Sequence, residues 1–307
     1  MAQNKKNILI TGGLGQIGYH VYLRLRRKYQ ICILDNKSSA KVDPPEDVFF
    51  IEGDIQDYKI LESLPNIKYI IHCAAQISPE KSVQNPIYDA EVNIIGTLNL
   101  LEYARKNHVT KFIHISSAAT YGDPQFLPIT ENHPKEPLSP YGLSKLTAEN
   151  YALLYSELFD LDTTVLLPFN VYSLLQKEND PYTGVIYKFI KRIKEGNPPV
   201  IEGDGLQTRD FIHVEDVVVA IELALTQSKA KGIVLNIGSG ETVTINELAQ
   251  HLISISGKKL QPIHTDSRKG DIRESCASIE LAQKILGFNP LVKLKEGLQE
   301  LYEKIEL

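Results

Sequence analysis

Tyr141 and Lys145 stand four residues apart in Tyr-Gly-Leu-Ser-Lys, and on a helix that spacing stacks two side chains on one face. A lysine cation beside a phenol favours the phenolate, and a tyrosine whose ordinary pKa is about 10 needs such a neighbour to act as a base near neutrality. Upstream, Phe112-Ile-His-Ile-Ser-Ser-Ala-Ala-Thr-Tyr-Gly122 sets serines directly after an apolar run. There the Ser117 hydroxyl can hydrogen-bond a reacting alcohol. A surface Tyr and Lys pair is the plain alternative for the pentapeptide alone, and the adjoining serines weigh against it.

A second constellation lies near the start of the chain. Gly12, Gly15 and Gly18 follow Asn-Ile-Leu-Ile-Thr and open a helical pattern at Gln16 and Ile17. Glycines in this order serve a tight turn, backbone approach to a pyrophosphate and close helix packing, with phosphate charge meeting the N–H groups of the helix start. The next apolar run ends in Leu34-Asp35-Asn36, about 20 residues past the turn, where a carboxylate accepts from adenosine ribose hydroxyls and repels a 2′-phosphate. The expected dinucleotide is therefore NAD rather than NADP. Asp54 and Ile55, in Gly-Asp-Ile after the third run, are expected to flank the adenine; an exposed turn aspartate is the bland alternative.

These residues need a scaffold, and short β-branched runs at 7–11, 31–34, 48–51, 69–72, 112–115 and 164–167 supply one. Helix-length amphipathic stretches separate most of them. That alternation predicts an α/β fold with a doubly wound parallel sheet. Beyond about residue 170 Pro181, Pro198-Pro199 and Gly203-Asp204-Gly205 loosen the pattern, and helices are predicted near 184–195, 215–228, 245–256 and 293–305. Thr244 and Glu247 have capping-box spacing before the third of these. Residues 24–28 and 188–194 are basic clusters toward helix ends, where they complement the dipole.

Bulk composition narrows the class. A formal charge of -5 removes the electrostatic footprint of a dedicated nucleic-acid binder. No apolar run approaches the roughly 20 residues that span a bilayer, so no membrane partner is expected. Cys32, Cys73 and Cys276 are odd in number, and the first two lie in apolar runs, as reduced thiols of a cytoplasmic protein do.

Taken together the residues resemble those of the extended short-chain dehydrogenase/reductases of the NAD-dependent epimerase/dehydratase type, and within that group the UDP-glucose 4-epimerases. The likeness spans residues 11–18, 35–36, 53–55, 72–76, 93–97, 116–122, 139–145, 169–172, 203–216 and 268–271. It implies a Rossmann-type NAD-binding domain over 1–170, with 208–230 packing back on it, and a smaller UDP-sugar-binding lobe over 171–307. It makes Tyr141 the acid/base, Lys145 its tuner and a ligand of the NAD ribose, and Ser117 the partner of the sugar hydroxyl. Ala74, Ala75, Asn93 and Pro168 join the cofactor set; Asn170, Arg209, Arg268 and Ser275 form the substrate set, and no metal is implied. For Arg209 and Arg268, surface ion pairs with Asp210 and Asp271 are the alternative, and Asp216 is read as a helix cap.

The reaction so implied is 4-epimerisation of a UDP-hexose through a transient 4-keto sugar, by a cytoplasmic homodimer joined through helices near 90–106 and 142–159. Related dehydratases carry an Asp-Glu pair after the catalytic Ser or Thr, and decarboxylases a Glu; here Ala118 and Ala119 stand there. The arginines usual in the family around residues 166–176 are absent, which bears on recognition of a uronic acid. Ser275 replaces a tyrosine that in some relatives crowds the sugar's C2 substituent, so UDP-GlcNAc and UDP-GalNAc are expected to fit beside UDP-glucose and UDP-galactose. A UDP-glucuronate 4-epimerase, a reductase and a non-catalytic NAD sensor stay open as alternatives.

Overall fold

The six β-branched runs form parallel strands in the computed structural model, which describes residues 7–176, 184–267 and 272–306. They are β1 (Asn7–Thr11), β2 (Gln30–Asp35), β3 (Phe49–Glu52), β4 (Tyr69–His72), β5 (Lys111–Ile115) and β6 (Thr163–Pro168). The sheet has seven strands, and the seventh, Ile233–Ile237, pairs in parallel with β6 at one edge. From that edge the order runs through β6, β5, β4, β1 and β2 to β3.

Successive side chains of a strand face opposite ways, and both faces of this sheet are covered. Ile8 and Ile10 join the core under helices Gln16–Leu25 and Val214–Thr226. Leu9 joins the opposite core, with Leu100 and Ala104 of helix Gly96–Lys106 and Ala152 of helix Pro140–Phe159. Each of the three strand side chains is fully buried, a contribution of about 1.5–3 kcal/mol apiece. A separate core holds Phe189, Ile190, Leu248, Leu252, Leu298 and Leu301, from helices Val185–Lys194, Ile245–Ser256 and Leu294–Lys304. The second of these helices begins with the expected capping box, Thr244 and Glu247 exchanging bonds.

Two features depart from the expected division at residue 170. Strand Ile233–Ile237 belongs to the central sheet, and helix Glu280–Leu286 packs on it and on helix Val214–Thr226. The edge of β6 needs a partner for its backbone groups, and the Ile-Val-Leu-Asn-Ile run provides it. Asp216 does not cap its helix: His213 does so, its Nδ1 accepting the Glu215 N–H at 3.3 Å. The buried Asp216 carboxylate instead accepts the backbone N–H groups of Leu291 at 2.9 Å and Val292 at 3.1 Å.

Chain order reverses between β1 and β4, which pair with Thr11 opposite His72. A crevice outside the carboxyl ends of such a pair is where open α/β sheets take ligands. The glycine turn leaves β1 there, and Cys73-Ala74-Ala75 leaves β4.

Candidate active site

The turn after β1 is shaped by backbone contact. Gly12 has φ +65, and a Cβ on it would sit 2.7 Å from the Ala74 nitrogen, so the turn lies against the segment leaving β4. A Cβ on Gly18 would meet the Gly12 carbonyl oxygen at 2.2 Å, which is the close helix packing expected of the third glycine. Helix Gln16–Leu25 starts without a side-chain cap and without an acidic residue in its first turn. Its opening N–H groups are thus available to an anion. By contrast, side chains of Asp57, Ser78, Asn85, Ser139 and Thr244 cap other helices.

Asp35 ends β2 and is held by two backbone donors, Leu14 N–H on Oδ2 at 3.0 Å and Lys37 N–H on Oδ1 at 2.7 Å. It is joined to the glycine turn directly. The Asn36 amide donates to Asp54 Oδ2 at 2.7 Å, and Ile55 is buried in the core beside Leu34. An uncapped helix start, a glycine cradle and a carboxylate at the strand end form a set that fits a dinucleotide.

Tyr141 and Lys145 lie in the first turns of helix Pro140–Phe159, whose start is fixed by Pro140 at the first helical position and by Ser139 accepting the Gly142 N–H at 3.1 Å. The Tyr141 N–H donates to Ser82 Oγ at 3.0 Å, across to helix Pro79–Gln84. Ser117 follows β5 and accepts the Ala119 N–H at 3.2 Å. Its side chain lies near the Tyr141 phenol and acts to lower that group's pKa. The expected Ser117, Tyr141 and Lys145 group is therefore assembled at the carboxyl edge of the sheet.

The electrostatics differ from the expectation that Lys145 draws Tyr141 toward phenolate. Burial raises the phenol above its usual range, Ser117 opposes the rise, and the charge of Asp89 adds to it. Lys145 is buried and donates to the Ile115 carbonyl at 2.6 Å. Burial brings its ammonium down to about 8, against the charges of Glu149 and Asp89, while burial pushes the nearby Cys73 thiol up to about 12 and keeps it neutral. Beneath it, burial pushes His72 down to about 3, with Lys145 adding to the effect; Thr11 and Thr97 hydroxyls bond its ring at 2.8 and 2.9 Å.

Asn93 sits in a π-helical turn, Glu91–Ile95, a feature often found at functional sites. Its Oδ1 accepts the Gln76 N–H at 2.9 Å, and its Nδ2 donates to Gln76 O at 3.0 Å and Ser144 Oγ at 3.0 Å. Expected as a cofactor ligand, Asn93 has its amide engaged within the protein, where it fixes the segment carrying Ala74 and Ala75. Gln76, Ser82 and Asp89 were not singled out by sequence reasoning. The i,i+4 spacing of Asp89 and Asn93 was the one local signal.

On the substrate side, Asn170 follows buried Pro168 and Phe169 and donates Nδ2 to the Asp210 carbonyl at 2.9 Å. Arg209 Nη1 donates to the carbonyls of Thr208 at 2.8 Å and Ile272 at 2.7 Å. Its alternative partner Asp210 is buried and accepts from Ser239, Gly240 and Ala277 backbone N–H groups. Ser275 is buried beside the same strand, its N–H 3.4 Å from Thr208 Oγ1. Arg268 and Asp271 lie outside the described residues. No group of three or more His, Cys, Asp or Glu side chains among the described residues could hold a metal.

The family model described as NAD dependent epimerase/dehydratase matches residues 8–238. A UDP-glucose 4-epimerase of Mycolicibacterium smegmatis is 36% identical over 307 residues, covering 96% of this chain and 97% of that one. The crystal structure of the Thermotoga maritima UDP-glucose 4-epimerase with UDP-glucose superposes with TM-score 0.92 at 38% identity, over 97% of each chain. A UDP-N-acetylglucosamine 4-epimerase of Methanobrevibacter ruminantium, in complex with UDP-N-acetylmuramic acid, gives TM-score 0.92 at 34% identity over 98% of each chain.

Proposed function

The chain belongs to the NAD dependent epimerase/dehydratase family, and on that premise we propose that it interconverts UDP-hexoses that differ in configuration at C4. The observation that carries this reading is the placement of Ser117 near the Tyr141 phenol, one helical turn from Lys145 at the carboxyl edge of the sheet. NAD, when bound, supplies a hydride acceptor that is also the donor, so the sugar leaves neither oxidised nor reduced.

The protein's own part is the movement of one proton. Tyr141 takes it from the sugar O4 hydroxyl and gives it back, while Ser117 orients that hydroxyl and supports the developing phenolate. Lys145, fixed on the Ile115 carbonyl, keeps a cation within the site below about pH 8. Gly12, Gly15, Gln16, Ile17 and Gly18 would hold the pyrophosphate, and Asp35 the adenosine ribose. Ala118 and Ala119 carry no acid, so the proton shuttle that elimination at C5 and C6 requires is missing. Asn170, Arg209 and Arg268 would hold the sugar nucleotide, a guanidinium suiting diphosphate oxygens.

The small buried Ser275 supports a pocket open to an N-acetyl group at C2 as well as a hydroxyl. A homodimer is supported by the exposed Leu143, Leu154, Leu158 and Phe159 on helix Pro140–Phe159 and by Ile95 at the start of its neighbour, an apolar surface that a second copy would cover. Among the described residues no helix is long and apolar enough to cross a membrane, and a cytoplasmic enzyme is the location proposed.

Purified protein incubated with UDP-glucose, UDP-N-acetylglucosamine and UDP-glucuronate, with products resolved chromatographically, tests the reaction and the substrate together. A C4 epimer is expected from at least one of them, with turnover about 10²–10⁴-fold lower in Tyr141→Phe. No epimer from any sugar, or near-full turnover in that variant, would overturn the reading.

A further inference from the structure

Asp89 is a buried carboxylate that the proton transfer just described leaves without a role. It is 1% exposed and sits on helix Pro86–Ala90, which packs against the helix bearing Tyr141 and Lys145. Its Oδ1 accepts from Gln76 Nε2 at 2.7 Å and from Asn93 Nδ2 at 3.1 Å. Its Oδ2 is equally buried and has no hydrogen-bond partner among the described residues. A carboxylate left half-bonded out of water is costly, and a neutral side chain of the same shape would fill this space at less cost. Packing alone does not account for it.

The carboxylate is tied to the acid/base helix. Asn93 Nδ2, which bonds Asp89, also donates to Ser144 Oγ, and Ser144 Oγ donates to the Tyr141 carbonyl at 3.0 Å. Several groups surround the pair: Ser117 after β5 and the charge of Asp89 act on the phenol, the charges of Glu149, one turn along the helix, and of Asp89 act on the ammonium, and Cys73 after β4 is kept a neutral thiol by burial. His72 and His114, on the strands beneath, are held neutral by burial. Asp89 is the group in this set that acts on both.

Building on the epimerase reading above, we infer that Asp89 is a positioning residue whose fixed negative charge strengthens Tyr141 as a base and favours the charged form of Lys145. A negative neighbour makes the phenolate harder to form and more avid for a proton once formed.

Asp89→Asn and Asp89→Ser remove the charge, whereas Asp89→Glu keeps it. Tyrosinate absorbance, read as each variant minus its Tyr141→Phe counterpart, isolates this phenol without substrate or turnover. Its midpoint is expected to fall by about one pH unit in both neutral variants and to stay in place in Asp89→Glu. The acid limb of kcat/KM for the epimerised sugar should move with it. An unmoved midpoint in the neutral variants overturns the inference, as does an equal shift in Asp89→Glu. So does a uniform loss of turnover with no movement of the acid limb, the signature of a purely structural residue. Failure of the wild type to epimerise any sugar would remove the reaction assigned above, while the absorbance titration would still decide the role of Asp89.

Discussion

Lys145 donates its ammonium proton to the carbonyl oxygen of Ile115 at 2.6 Å, on the strand that delivers Ser117. A lysine read from spacing alone would point at the tyrosine four residues before it; in the folded protein it is pinned to the sheet. Its position is thereby fixed relative to both partners, and its charge is carried in a buried place.

That burial makes stability depend on pH. The folded pKa, about 8, lies below the ordinary 10.5, so through that interval the unfolded chain binds the extra proton and the wild type gains stability as pH rises. Below about pH 8 the full cost of the buried cation is present. Lys145→Met has no such cation, so urea unfolding should show the wild type gaining up to about 3 kcal/mol on this variant between neutral pH and the top of the window. A difference independent of pH would contradict it. Turnover in Lys145→Met should fall by about 10²-fold or more at every pH.

Asp35 holds the glycine turn and belongs to the site proposed for the cofactor. Asp35→Asn removes the charge proposed to exclude a 2′-phosphate and turns one of the two backbone-held oxygens into a donor facing an N–H group. Titration with the two dinucleotides should show NAD binding weakened by about tenfold or more, and the preference over NADP reduced. Retention of the full preference would remove Asp35 from this role.

Ser275→Tyr fills the space proposed for the C2 substituent. Specificity constants for UDP-N-acetylglucosamine should drop by at least about tenfold, with those for UDP-glucose largely kept. Equal losses for both sugars would show that position 275 does not border C2.

Asp216 holds the 291–292 segment through two backbone bonds from a buried carboxylate. In Asp216→Asn one of those N–H groups faces a donor, which should lower stability to urea by about 1–3 kcal/mol while turnover of the folded enzyme is retained. Unchanged stability would mean that the segment is held by other contacts.

Much of the scaffold was legible because it rests on local signals. Each of the first six strands is a β-branched run bounded by turn residues, and the three glycines after β1 stand at the start of a helix that needs them. Thr244 with Glu247 marks a cap by spacing alone. What escaped depends on contacts far apart in sequence. Strand Ile233–Ile237 is another short apolar run, yet its partner β6 precedes it by a whole helix-bearing segment, so its position in the sequence points to the smaller lobe instead. The direction of Lys145, the engagement of Asn93 with Gln76 and the unbonded oxygen of Asp89 are properties of three segments meeting, and no one segment encodes them.

The late arrival of that edge strand sets a schedule for synthesis. When residue 168 has left the ribosome, β1 to β6, the glycine turn, Ser117, Tyr141 and Lys145 have all been made. The far edge of β6 still lacks its neighbour, and its side chains are of the kind that end up buried on both faces. An open edge of this sort invites pairing with another nascent chain. The final third of the polypeptide is therefore more than an addition to a finished domain: until it emerges, the half that carries Ser117, Tyr141 and Lys145 is unfinished as a sheet.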